Sequence, residues 1–378
     1  MRSAYLLTAG AAAVSAAAVS GAPAAKPHLA MYFDQWHYAT LPNRTITAGV
    51  THVITAFAES NIFLSGSSYT PFMPLSTIRA MFDPGTKVCM AVGGWGLSQG
   101  FGPGSTTDAK RKQYAKNIGD AVKRLGYDCV DVDWEYPGGN GEDYKRIPNS
   151  QKVGEIDAFP LLLADIKAAI GDKEISIAIP GKEIDMIAFT KQKVPEINAV
   201  VDWVNIMAYD IMNRRDKFTN HHTSVEDSIK LIDLYIERGF TPSKIILGFA
   251  FYAKWFTTAP KANCLEPVGC PVAELEAPNG DDTLKSGAMT FELANRNDPD
   301  FAKALKNGKM DTKLGGAWYW DSTKGVFWSW DTAEFITQKF ERIVKPKGLG
   351  GAMAWSLAQD AIDWSHFKAI TAGIKSMS

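Results

Sequence analysis

Eight short, β-rich apolar runs recur along the chain, and longer amphipathic stretches separate several of them. The runs are Leu29–Phe33, His52–Ala58, Val88–Val92, Cys129–Trp134, Ile175–Ile179, Trp203–Ala208, Ile245–Phe251 and Gly351–Trp355. Helical periodicity marks Thr107–Leu125, Phe159–Ile170, Val225–Arg238 and Ala333–Val344. Connections of crossover length between apolar strands are the signature of parallel βα units, and eight of them predict a closed (β/α)8 TIM barrel in the α/β class. An open doubly wound sheet would call for a glycine-rich phosphate turn after its first strand. Phe33-Asp34-Gln35-Trp36 is not such a turn.

One stretch breaks the alternation. From about 253 to 330 the chain carries Pro260, Pro267, Pro271 and Pro278, two cysteines in N-C-L-E-P-V-G-C-P, and a late aromatic segment. It reads as a small insertion between strands seven and eight. Ahead of the first strand, Arg2 and the Ala-rich run Ala4–Val19, followed by Ser20, Gly21 and Ala22, have the layout of a secretory leader spanning 1–24. The run is shorter than the ~20 residues a membrane span needs. The expected organisation is therefore a leader, then one barrel over 25–378 interrupted by the insertion, exported and monomeric.

Export permits disulfides. Cys264 and Cys270, six residues apart in a polar loop, suit a local bridge. Cys89 and Cys129 lie in apolar runs and read as buried thiols. Asn43-Arg44-Thr45 is the sole glycosylation sequon. Lys plus Arg number 40 against 41 Asp plus Glu, so the basic footprint of a general nucleic-acid binder is missing. Nothing in the balance points to a membrane surface either.

The chemistry concentrates in G-Y-D-C-V-D-V-D-W-E-Y-P, Gly126 to Pro137. Asp131, Asp133 and Glu135 alternate with Val130, Val132 and Trp134. A strand has a period of two, so the acids share one face and the apolar residues the other. In a barrel the apolar face meets the helices and the acids point inward. Carboxylates crowded away from water cannot all ionise, which raises at least one pKa and suits a general acid. Glu135 comes last, at the strand's C-terminal end, where barrel active sites lie. A metal site would want histidine partners; no H-E-x-x-H pattern occurs and only His221-His222 stand together, so no metal and no cofactor are expected.

The D-x-x-D-x-D-x-E spacing of Asp128, Asp131, Asp133 and Glu135 resembles the signature of glycoside hydrolase family 18, the chitinase family. Further segments are similar to that family: Met31-Tyr32-Phe33 with Trp36, His52 to Phe57-Ala58, Val88 to Trp95 with its Gly-Gly-Trp, Met207-Ala208-Tyr209-Asp210, Asp216 beyond it, and Gly350 to Trp355. Tyr-Asp-Ile-Met-Asn-Arg-Arg-Asp followed by His-His-Thr looks most like fungal secreted members. The inserted segment sits where larger members of the family carry an α+β insertion, so the resemblance implies that it is α+β. The chain departs at Ala91, where the family pattern has a serine whose hydroxyl helps hold the inner aspartate, so the resemblance implies altered hydrogen bonding at Asp131.

The resemblance implies a retaining reaction assisted by the substrate's own acetamido group, on chitin or chitooligosaccharides. Glu135 would be the acid/base, Asp133 the group orienting the acetamido N–H, Asp131 its tuning partner, and Tyr209 a donor to the acetamido oxygen. Trp355, Trp95, Tyr32, Phe57, Met207 and Asp210 would bind substrate. Trp328 and Trp330 read equally as cleft wall or insertion core. Arg214 and Arg215 read as surface charge rather than substrate contacts.

Overall fold

The computed structural model describes residues 26–377, so the expected leader lies outside the described residues. Eight parallel strands close a barrel: β1 (His28–Asp34), β2 (His52–Ala58), β3 (Lys87–Gly93), β4 (Cys129–Asp133), β5 (Glu174–Ile179), β6 (Trp203–Ile206), β7 (Ile245–Ala250) and, last in the chain, β13 (Gly351–Trp355). All eight apolar runs form barrel strands, with ends differing by a residue or two. Among the described residues no helix is long and apolar enough to cross a membrane.

The helices form where the sequence supplies both periodicity and caps. Thr107 accepts from the Lys110 N–H at the start of Asp108–Leu125, and Gly126, at φ 80°, ends it. Ser224 and Gly239 do the same for Val225–Arg238. The helix Val153–Ile170 starts earlier than periodicity indicates, and the segment expected at 333–344 is an α-helix to Lys339 followed by a π turn over Phe340–Val344. The barrel's outward side chains and the helices share one apolar core, in which Trp134 stacks on Phe101 at 5.1 Å and meets Phe159 edge-on at 5.7 Å.

Between β7 and β13 the chain builds a second sheet of β8 (Tyr252–Thr257), β9 (Ser286–Thr290), β10 (Lys309–Asp311), β11 (Gly316–Asp321) and β12 (Val326–Trp330), all antiparallel. This is the α+β insertion. Trp328 and Trp330 are buried within it, Trp328 stacking on Phe301 at 5.4 Å, so both belong to the insertion core.

The cysteine reading needs one correction. Cys264–Cys270 is the expected local bridge, but Cys89 and Cys129 are also a disulfide, with Cα atoms 4.4 Å apart. The two residues are in-register partners on neighbouring strands β3 and β4, and both face the barrel interior. Their apolar surroundings suggest thiols; the register that pairs them is a property of the closed sheet and has no trace in local sequence.

Candidate active site

Strand parity places the acids as alternation requires. Val130 and Val132 pack outward, while Asp131 and Asp133 face the barrel interior and are buried. Glu135 follows the end of β4, half-buried at the barrel mouth, and its backbone N–H donates to Ser98 Oγ at 3.1 Å. The Gly-Gly of β3's end is steric: a Cβ on Gly93 would lie 2.2 Å from the Asp133 carbonyl oxygen, and one on Gly94 would lie 2.7 Å from the Phe57 ring. The Gly94 N–H donates to that same carbonyl at 2.8 Å, fixing the backbone beneath the acids.

Asp131 sits deepest. It accepts from Tyr32 Oη at 2.6 Å, Ser176 Oγ at 2.6 Å and Asn205 Nδ2 at 3.0 Å. Burial raises its pKa and the three donors oppose that rise. Asp133 has no such company: its Oδ1 is buried without a partner. Burial, then the charges of Glu135 and Asp131, push Asp133 well above the ordinary carboxylate range. Glu135 is pushed up to about 7, first by desolvation and then by the charges of Asp210 and Asp185.

These acids open onto a cavity of about 400 Å³. Tyr209 and Tyr32 line it from beneath, and Trp355 forms a floor, stacked on Phe57 at 5.4 Å and 5.5 Å from the Tyr32 ring. Tyr209 Oη has only the weak acceptor Met353 Sδ, 4.0 Å away, for company. Asp210 takes a left-handed conformation at φ 54°. Burial raises its pKa, but Lys254 Nζ at 3.2 Å and His222 Nδ1 at 3.8 Å more than offset that and hold the carboxyl below the usual range. Met207 and Trp95 also line the cavity, and Trp95 is 45% exposed.

The sequence-identified residues thus converge on one cavity, with Asp131 just behind its wall. Asp128 stands apart at the other end of β4, holding Arg79 at 2.8 Å and the Val88 N–H at 2.8 Å. Asp216 binds Lys182 at 2.6 Å and the Asn213 N–H at 2.8 Å, ordering the loop after β6.

A second correction concerns Arg214 and Arg215. Both line the cavity and are paired, Arg214 to Glu276 at 3.1 Å and Arg215 to Asp185 at 2.6 Å. Adjacent arginines in a polar stretch look like solvated charge because their acids, on the β5 loop and the insertion, are distant in sequence. Trp36, Tyr136, Tyr144 and Lys254 line the cavity as well, beyond the residues expected there. Trp36 has a sequence signal, a tryptophan three residues beyond β1's buried Phe33, and is 55% exposed. Tyr144 and Lys254 have none.

The chain is similar to known proteins in sequence and in fold. The chain is 26% identical over 368 residues to Chitinase 1 of Aphanocladium album, covering 86% of this chain and 80% of that protein. It is 24% identical to a chitinase-like effector of Moniliophthora roreri, covering 93% of each. It spans only 41% of Chitinase A1 of Niallia circulans, at 28% identity. In fold it is similar to a chitinase from Rhizomucor miehei (TM-score 0.74, 20% identity, 92% of this chain and 99% of that one). It is similar also to a glycoside hydrolase family 18 N-acetylglucosaminidase from Paenibacillus barengoltzii (TM-score 0.67, 21% identity, 92% and 100%). Residues 28–360 match the glycosyl hydrolases family 18, and the chain belongs to that family.

Proposed function

We propose that the protein is an exported chitinase that cleaves β-1,4 links between N-acetylglucosamine units with retention of configuration. The observation that carries this reading is Glu135, raised to about 7 at the mouth of a cavity that also holds Asp133, Tyr209 and the Trp355 floor. A carboxyl that keeps its proton near neutrality can deliver it to a leaving oxygen.

The mechanism follows from the groups present. Glu135 protonates the glycosidic oxygen. The carbonyl oxygen of the sugar's own 2-acetamido group attacks the anomeric carbon, and the glycosidic C–O bond breaks. This step is intramolecular, and effective molarities of order 10⁵ M or more are available to well-oriented partners. Asp133 receives the acetamido N–H on its unpartnered oxygen and stabilises the positive charge of the cyclic oxazolinium. Tyr209 donates a hydrogen bond from its hydroxyl to the acetamido oxygen, holding it for attack. Asp131, held by three donors, acts on Asp133 through its charge. Glu135, now ionised, takes a proton from water, which opens the ring and restores the sugar with its original configuration.

Two other readings make different demands. An endo-β-N-acetylglucosaminidase would trim N-glycans; a chitin-binding lectin would hold oligosaccharides without cutting them. The intact Glu135, Asp133 and Tyr209 argue against the lectin. The test compares release of a fluorophore from chitobiose and chitotriose conjugates with trimming of a denatured glycoprotein. Fluorophore release with an untouched glycoprotein is expected. Glycan trimming, or binding without release, would overturn the proposal.

A further inference from the structure

Asp34, the last residue of β1, is fully buried, and the proposed reaction does not use it. A buried carboxylate is costly unless its acceptor positions are filled. Among the described residues four donors fill them. Oδ1 accepts from the Trp36 N–H at 2.9 Å, from the His37 N–H at 3.0 Å and from His37 Nδ1 at 2.8 Å. Oδ2 accepts from Ser356 Oγ. The hydrogen bond to Asp34 is the leading cause of a raised His37 pKa, partly opposed by burial, which agrees with Nδ1 acting as a donor.

These bonds reach the cavity by two branches. The first is a tight turn. An aspartate that accepts from the N–H groups two and three residues ahead fixes the backbone between them. The Gln35 N–H donates to the Ala56 carbonyl at 3.0 Å, which fastens the same turn to β2. The Trp36 side chain is largely exposed, so it takes its position from the backbone beneath it more than from packing. The second branch is Ser356, the residue after Trp355. The backbone pairing of β1 with β13 ends at Met31 and Ala354. The Asp34–Ser356 bond therefore joins the two strand ends beyond their ladder.

The branches meet at one aromatic surface. Trp36 stands 6.3 Å from Phe57, and Phe57 stacks on Trp355 at 5.4 Å. All three rings line the cavity, whereas Asp34 lies behind them. The apolar faces of sugar rings pack on such aromatic surfaces. Rings that are already held in place lose less freedom when a ligand lands on them, and this strengthens binding. None of Asp34's partners is Asp131, Asp133 or Glu135.

We propose that Asp34 is a positioning residue: one buried carboxylate holds the Trp36 turn and the Trp355–Ser356 strand end together, and so sets the grip on the sugars seated on Trp36, Phe57 and Trp355. The proposal rests on the hydrolytic reading above and adds a residue that governs binding without touching the substrate.

The test measures Kd for chitohexaose by calorimetry in a Glu135→Gln background, with kcat and KM measured in the active chain. The variants are Asp34→Ala, Asp34→Asn, Trp36→Ala and the pair Asp34→Ala with Trp36→Ala. Asp34→Ala is expected to weaken binding about tenfold, the scale of re-ordering one or two side chains. The larger share of the loss should fall in KM rather than in kcat. Asp34→Asn keeps an oxygen for the Trp36 and His37 N–H groups and should recover part of it. The paired variant should lose less than the product of the two single losses, because one residue acts through the other. A folded Asp34→Ala chain with unchanged Kd, a loss confined to kcat, or losses that multiply in the paired variant would overturn the proposal. If Asp34→Ala does not fold, Ser356→Ala decides, since it cuts only the Trp355 branch: weaker binding upholds the role and an unchanged Kd overturns it. Absence of turnover by the wild type would remove the hydrolytic reading, and the Kd comparison would still decide the role of Asp34. No binding of chitohexaose by the Glu135→Gln chain would overturn both.

Discussion

Ser176 Oγ donates a 2.6 Å hydrogen bond to Asp131 Oδ1 inside the barrel. The two residues are in-register partners on β5 and β4. The in-register partner of Asp131 on its other side, β3, is Ala91, which has no donor to offer. The missing hydroxyl implied by the family resemblance thus has a counterpart on the opposite strand. Ser176→Ala should raise the Asp131 pKa, because it removes a donor to the charged form. The acid limb of the kcat/KM profile should then move to higher pH, and kcat should fall about tenfold, as expected for losing a hydrogen bond to a charged group. Restoring a hydroxyl from the other side, with Ala91→Ser in the Ser176→Ala background, should recover part of both effects. A kcat and pH profile unchanged in Ser176→Ala would remove this residue from the network.

Glu135→Gln should fold normally and lose about 10²–10⁴-fold in kcat, the usual contribution of a positioned general acid. In the wild type the acid must be protonated to act. With Glu135 at about 7, kcat/KM should decline as pH rises through that value, and the variant's residual activity should lose this basic limb.

The disulfide between Cys89 and Cys129 crosses neighbouring strands two residues below Ala91 and Asp131. It closes a loop of 40 residues. Replacing both cysteines by alanine should lower the unfolding free energy by about 2–4 kcal/mol, measured by denaturant midpoint. Because the bond is fully buried, reductant should affect the native protein only on the timescale of unfolding.

At the opposite end of the barrel His28 stacks on His52 at 4.8 Å, with Glu174, Lys87 and Asp202 around them. Burial, then the neighbouring His52, lowers the His28 pKa to about 4. The unfolded chain therefore binds a proton there that the folded chain refuses. Stability from this site is full above about 6.5 and falls as pH drops from 6.5 toward 4. The loss should reach about 2–3 kcal/mol. His28→Gln should flatten that part of the stability–pH curve, read from thermal midpoints; an unchanged slope would contradict the assignment.

Much of the fold and of the site is legible in the amino-acid sequence. Period-two alternation puts Asp131, Asp133 and Glu135 on one face, and strand count with crossover spacing is sufficient for the barrel. The insertion is visible because Pro260, Pro267, Pro271 and Pro278 interrupt the rhythm. What escapes depends on pairing between distant segments. Cys89 meets Cys129 only through barrel register, Arg215 meets Asp185 only because the β5 and β6 loops adjoin, and Tyr144 meets Glu276 across 132 residues. None of these partners alters the local pattern that carries the secondary-structure signal.

At the centre of the proposed chemistry the substrate supplies its own nucleophile while Glu135 moves the proton. The most direct measurement compares hydrolysis of two aryl chitobiosides that differ only at the reacting sugar, one with its 2-acetamido group and one with a 2-hydroxyl. Turnover of the first and none detectable for the second is the predicted result. Comparable rates for the two would contradict substrate assistance.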